Sequence, residues 1–167
     1  FTLNSGVALY GGFAGGESER DARDPTAHPT ILSGDIGLSG VITDNAYHVV
    51  HITAGVTEAT VLDGFTITGG NANGSFPDSA GGGIYNAGGS PTLRNLVIQS
   101  NQATSDGGGL VSDAGRPVLN NVSVISNTTT ANGGGLSDWG DGFVLRDVLF
   151  RGNVADGSGG GLYAGSR

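Results

Sequence analysis

Residues 81–87 read GGGIYNA, residues 107–113 GGGLVSD, residues 133–139 GGGLSDW and residues 159–165 GGGLYAG. Each block begins 26 residues after the one before. The same spacing carries Leu93, Leu119 and Leu145; Leu96, Val122 and Val148; Ile98, Val124 and Phe150; and Asn101, Asn127 and Asn153. No gap is needed to hold these columns in register. A fixed period of this length is the signature of a solenoid. Within each unit the apolar pieces are only two to five residues long, separated by Gly or Asx, too short for a helical repeat. The spacing predicts one turn of a parallel β-helix per unit, with equivalent strands stacking at about 4.8 Å per coil. The expected fold is all-β, a right-handed parallel β-helix of about six coils, its hand following from the general preference of parallel crossovers.

Composition agrees with that reading. The chain of 167 residues holds 33 glycines, no Lys, no Met and only three Glu. Gly in a helix costs about 1 kcal/mol relative to Ala, so long helices are not expected. Fifteen acids face seven arginines for a net charge of -8, which repels phosphate backbones and anionic membranes and argues against a nucleic-acid partner. With no Cys, disulfides, thiol chemistry and Cys-based zinc sites are excluded. No apolar run approaches the roughly 20 residues that would insert into a bilayer.

Working outward from residue 81, residues 62–67 match the repeat when Leu62, Phe65 and Ile67 are set under Leu93, Leu96 and Ile98. That offset is 31, so five extra residues bulge from the coil within residues 71–80 (NANGSFPDSA). Residues 30–36 and 48–52 read as further strands, as does the alternating stretch near Val7 and Leu9. Between them residues 14–29 hold Glu17, Glu19, Arg20, Asp21, Arg23 and Asp24 and two prolines, a charged loop thrown out from the scaffold. The whole of 1–167 is read as one β-helix domain. It is expected either to continue into more of the same polypeptide or to associate head to tail with itself, because uncovered strand edges recruit strands.

Side-chain alternation assigns the columns. Leu96 and Ile98 point inward; Ile84, Leu110, Leu136 and Leu162 form a second internal stack. Gly83, Gly109, Gly135 and Gly161 leave room where a Cβ would crowd the next coil. Asn101, Asn127 and Asn153 are expected to form an asparagine ladder at one corner. Asn95, Asn121 and Asp147 mark another, where Asx residues tolerate left-handed backbone.

The pairing of GGGI or GGGL with Phe150-Arg151-Gly152-Asn153 resembles the GGA-I and F-x-x-N repeats of polymorphic outer-membrane proteins. The run from YGGFAGGESERDARD through VLDGFTITGGNANG to GGGIYNAGGSPTLRNL resembles large bacterial surface proteins built from right-handed β-helix repeats. The resemblance runs from about Val7 to Tyr163 and implies a β-helix at the cell surface or outside the cell, without implying an activity. Ile98 and Val124 stand where F-x-x-N would have its aromatic; only Phe150 keeps it.

The candidate site residues follow from the columns. Tyr85 and Tyr163 share an outward column with Val111 and Ser137, and Trp139 lies two positions along on the same face. Aromatics on a flat sheet stack on sugar rings, so Tyr85, Trp139 and Tyr163 are the candidate glycan contacts. Asp138 and Asp141 flank Trp139, near Asp113 and Asp106, and a glycosidase needs two carboxylates about 5–10 Å apart. The simpler reading makes these acids corner caps. Arg94 and Arg146 hold one outward column and are read as solubilising the sheet and pairing with acids. No catalytic residue, metal site or cofactor is assigned; calcium could take oxygens at Glu17–Asp24 or Asp138/Asp141, though neither has an EF-hand pattern. Alternation places His48 and His51 on opposite faces of a strand, unable to share one metal without a bulge. The leading expectation is a non-enzymatic extracellular scaffold that stacks end to end into filaments. A glycan-binding adhesin is the first alternative, and a polysaccharide lyase or glycoside hydrolase the second.

Overall fold

The computed structural model describes residues 1–165, and the fold is a parallel β-helix. Three sheets run along its axis, every strand pairing parallel with its equivalent on the next coil. The first holds six strands in the order Thr2–Leu3, Val50–Ile52, Ile84–Ala87, Leu110–Ala114, Leu136–Asp138 and Leu162–Ala164. The second stacks Val144–Arg151, Val118–Ile125 and Thr92–Gln99. It then divides into Val61–Asp63 over Ala8–Tyr10, and Phe65–Thr68 over Thr30–Ser33. The third holds four two-residue strands: Asn71–Ala72, Gln102–Ala103, Thr128–Thr129 and Val154–Ala155. Two single-turn 3₁₀ segments, Arg20–Ala22 and Ile42–Asp44, are the only helical pieces among the described residues.

The register is that of the repeat. Leu110 pairs with Ile84 and Leu136, and Leu119 with Leu93 and Leu145. The 31-residue offset holds as well: Leu62 pairs with Leu93 and Ile67 with Ile98. Inward side chains of successive coils lie directly over one another. Ile84, Leu93, Ile98, Leu110, Leu119, Val124 and Leu136 are therefore wholly removed from solvent and belong to one continuous core.

Each coil turns by left-handed residues at fixed places. Asn95, Asn121 and Asp147 have φ of 51°, 54° and 51°, with Gly64 at 82° in the equivalent position. Asn95, Asn121 and Asp147 bend the long strand without ending it, whereas Gly64 divides Val61–Asp63 from Phe65–Thr68. A second left-handed column, Gly69, Ser100, Ser126 and Gly152, precedes the asparagine corner. It is absent from the sequence reading because serine carries no strong signal for positive φ.

At the asparagine corner Asn127 Oδ1 accepts the Asn101 backbone N–H at 3.1 Å and the Asn101 side-chain amide at 3.0 Å. Asn153 Oδ1 repeats both contacts toward Asn127, at 3.0 Å each. Asn101 Oδ1 accepts the Gly70 N–H at 3.0 Å, extending the line by one more coil. Gly83, Gly109 and Gly135 lie beside this ladder with the next coil's glycine carbonyl against them; a Cβ on Gly109 would stand 2.6 Å from the Gly135 oxygen.

Candidate functional site

Two outward regions concentrate side-chain chemistry: an aromatic nest on the first sheet, and a polar cleft on the second.

The nest forms because residues 71–80 do not hang free of the coil. They fold across the first sheet and carry Phe76 over it. The Phe76 ring lies 6.3 Å from Tyr85, edge to face, and 6.1 Å from Trp139. This corrects the exposed aromatic platform. Tyr85 does point away from the core, but it is only 4% exposed, and its column neighbours Val111 and Ser137 are wholly buried. The Tyr85 hydroxyl donates to Asp113 Oδ2 at 3.0 Å, and Trp139 Nε1 donates to Asp106 Oδ2 at 2.7 Å. Both rings are thereby held by carboxylates of the preceding or following coils. Tyr163 pairs with Ser137 on the last described coil and is separated from Tyr85 by two intervening strands.

The histidine reading is also corrected. The strand begins at Val50, so His48 precedes it and alternation does not apply there. Both rings reach the same face: His48 stacks on Tyr85 at 5.1 Å, His51 lies 5.6 Å from Tyr85, and the two imidazoles are 6.4 Å apart. His48 Nδ1 lies 3.0 Å from the Gly81 carbonyl, an acceptor, which assigns the proton of the neutral ring to Nδ1. Its Nε2 faces Asp78 Oδ1 at 3.4 Å. Burial pushes the His48 pKa below its ordinary value, outweighing the Gly81 carbonyl and the Asp78 carboxylate, which favour the cation.

Of the carboxylates beside Trp139, Asp138 is buried in register with Ser112, and its Oδ1 accepts the Gly140 N–H at 3.3 Å. Asp141 is exposed. In the charged loop, Glu17 accepts the backbone N–H groups of Ala14, Gly15 and Gly16 at 2.6, 2.8 and 3.0 Å, and Asp24 Oδ1 those of Thr26 and Ala27. These hydrogen bonds hold both carboxyls below the usual range. No group of three or more His, Asp or Glu side chains placed to hold a metal occurs among the described residues.

The cleft is built around Asp63, which the sequence reading passed over. Its side chain is 1% exposed and receives three donors: Arg94 Nε at 2.6 Å, Arg23 Nη2 at 2.7 Å and Asn95 Nδ2 at 2.8 Å. Burial alone would raise its pKa. The hydrogen bonds from Arg23, Asn95 and Arg94 outweigh burial and hold it below the ordinary carboxylate value. Arg23 also donates through Nη1 to the Gly11 carbonyl at 2.9 Å, so it locks residues 14–29 against the coil. The loop therefore stands as a wall above the second sheet, leaving a cleft of about 540 Å³ whose floor includes Asn95 and Asn121. One signal was available beforehand: setting Leu62 under Leu93 also sets Asp63 under Arg94, opposite charges in register.

No curated protein and no solved structure matches the chain. A family model described as the Chlamydia polymorphic membrane protein (Chlamydia_PMP) repeat matches residues 147–165, the stretch that holds Phe150-Arg151-Gly152-Asn153 and the last glycine triplet, and there the chain is similar to the polymorphic membrane protein repeats.

Proposed function

We propose that this chain is a non-enzymatic structural scaffold at the bacterial cell surface, a β-helical rod whose last described coil is the seat for another coil. One observation carries the reading. Ile84, Leu110 and Leu136 are wholly buried in their column, whereas Leu162, in the same column, is 39% exposed. Leu145, Val148 and Phe150 on the same coil are only partly covered. Their equivalents on the coil before, Leu136, Leu119, Val122 and Val124, are all buried by the coil that follows. The occupant proposed is a second copy of this chain, meeting it head to tail as a further parallel coil. The match to polymorphic membrane protein repeats supports an outer-membrane or surface-exposed location.

Gly161 provides the test. Its equivalents are crowded by the next coil, but a Cβ on Gly161 meets nothing closer than Phe150 Cβ at 3.4 Å, an ordinary contact. Negative-stain microscopy and light scattering of the chain, wild type and Gly161→Ala, are read together. Filaments with an axial repeat on the order of 30 Å, six coils at about 4.8 Å each, that are lost in Gly161→Ala with the melting temperature unchanged establish head-to-tail stacking. Monodisperse particles that bind no further copy at any concentration retire the self-association. Hydrolysis or eliminative cleavage of a polysaccharide by the purified chain would overturn the non-enzymatic reading.

A further inference from the structure

The cleft between residues 14–29 and the second sheet is a built site rather than a surface irregularity. Its volume of about 540 Å³ lies within the roughly 300–1,000 Å³ of small-molecule sites. Its floor runs along the helix axis, because Thr66, Val97 and Ser123 are in register on successive coils. Beside them the side-chain amides form a relay: Asn121 Nδ2 donates to Asn95 Oδ1 at 2.8 Å, and Asn95 Nδ2 donates to Asp63 Oδ1 at 2.8 Å. The buried Asp63 carboxylate orients the first amide and the first orients the second. Asn121 itself is exposed, and a primary amide has two donor and two acceptor positions, of which this relay uses one.

The opposite wall carries the Thr26 hydroxyl and the apolar rings of Pro25 and Pro29. It is rigid: Asp24 Oδ1 takes the N–H groups of Thr26 and Ala27, and Arg23 is pinned on Asp63 and Gly11. A preformed wall lowers the ordering cost of binding. The two charged residues that line the cleft, Asp21 and Arg23, cancel, and each is paired, Asp21 with Arg20 at 2.8 Å and Arg23 with Asp63, which it shares with Arg94. What the cleft offers a ligand is a row of amide and hydroxyl dipoles facing flat apolar rings, without net charge.

We propose that this cleft binds a neutral oligosaccharide, laid along the helix axis with its hydroxyls on Asn95, Asn121 and Ser123 and its C–H face against Pro25 and Pro29. This goes beyond the scaffold reading and is independent of it. The contacts lie on a different sheet from the aromatic nest, and no covalent step is involved.

The full chain, ¹⁵N-labelled, is titrated with cellohexaose, maltohexaose and a hexamer of N-acetylglucosamine, with an oligogalacturonate hexamer as the anionic comparison. Saturable shifts of the Asn95 and Asn121 side-chain amides with a neutral hexasaccharide are expected. Asn121→Gly, which keeps the left-handed backbone while removing the amide, and Thr26→Ala should each weaken binding about fivefold, the effect of one lost hydrogen bond. Ser123→Trp should abolish it by filling the floor. Melting curves of the three variants confirm folding, and the exposed Thr26→Ala carries the test if Asn121→Gly does not fold. Absence of saturable shifts with every neutral probe, shifts confined to residues outside the cleft, or tightest binding by the oligogalacturonate would each overturn the proposal. None of these outcomes bears on Gly161 and coil stacking.

Discussion

Arg23 Nη2 sits 2.7 Å from Asp63 Oδ2, with 10% and 1% of the two side chains exposed. This contact joins the most charged loop of the chain to the body of the β-helix. Tyr10 supports it, its ring lying 5.4 Å below the Arg23 guanidinium. A buried pair is not strong evidence of net stabilisation, because desolvation offsets the attraction. Breaking it from one side is costly, since the other charge stays behind. Asp63→Asn should therefore lower stability by about 3 kcal/mol and release residues 14–29 from the sheet. Chemical denaturation measures the first effect, and faster tryptic cleavage at Arg20 and Arg23 the second. Arg20→Ala, which removes an exposed pair with Asp21, should leave both stability and Arg23 cleavage as in the wild type.

The same carboxylate makes the fold acid-sensitive in one direction. Asp63 has a folded-state pKa below 3.8, its value in the unfolded chain. Its contribution is fully present above that value and is lost as pH falls through the folded pKa, because the unfolded state takes the proton first. Denaturant midpoints measured downward from pH 5 should fall more steeply below 3.8 for the wild type than for Asp63→Asn. Parallel curves would remove Asp63 from the acid transition.

His48 gives a second pH dependence, centred higher. Its folded-state pKa is below the ordinary 6.5 because it is buried against Tyr85. Below 6.5 the unfolded chain binds the proton more readily, so stability should decline as pH drops from 7 toward 5. Asp78, which faces Nε2, and the neighbouring His51 act on it in opposite directions. Asp78→Asn replaces a carboxylate that favours the cation with an amide able to donate to Nε2. The His48 titration followed by NMR should move to lower pH, and stability at neutral pH should rise by about 1 kcal/mol.

Asn127 is the centre of the ladder. Its side chain accepts from Asn101 N and Nδ2 and donates to the Ile98 carbonyl at 2.9 Å and to Asn153 Oδ1 at 3.0 Å, all without solvent access to Asn127. Asn127→Ala leaves the buried Asn101 backbone N–H without its acceptor and breaks the ladder on both sides, and should cost about 3 kcal/mol. Asn153→Ala, on a partly covered coil, should cost less than half as much. Thermal melts of the two variants compare them directly.

Gly109→Ala should cost about 1–3 kcal/mol through overpacking, because its Cβ would press on the Gly135 carbonyl and on Asn127 Nδ2 at 3.0 Å. Gly161→Ala should leave the isolated chain unchanged. The difference between two chemically identical substitutions isolates the pressure of the following coil.

The 26-residue period determined the coil, its strand registers and the residues of its core and corners. It could do so because each strand pairs with its own equivalent on the next coil, making the contact map a function of sequence spacing alone. Even the offset of 31 was readable, since the apolar triplet Leu62, Phe65 and Ile67 keeps its internal spacing. The arms that leave the period carry no such rule. Arg23 meets Asp63 across 39 intervening positions of chain that contain no repeat, and nothing local announces which arginine will reach that carboxylate. Tyr85 was correctly turned away from the core by alternation, but exposure does not follow from direction. Only the tertiary structure decided that residues 71–80 would lay Phe76 over it and leave the open polar surface on the neighbouring sheet. Covering an outward aromatic removes apolar area from water, and the free energy of that burial depends on where the inserted loop comes to rest.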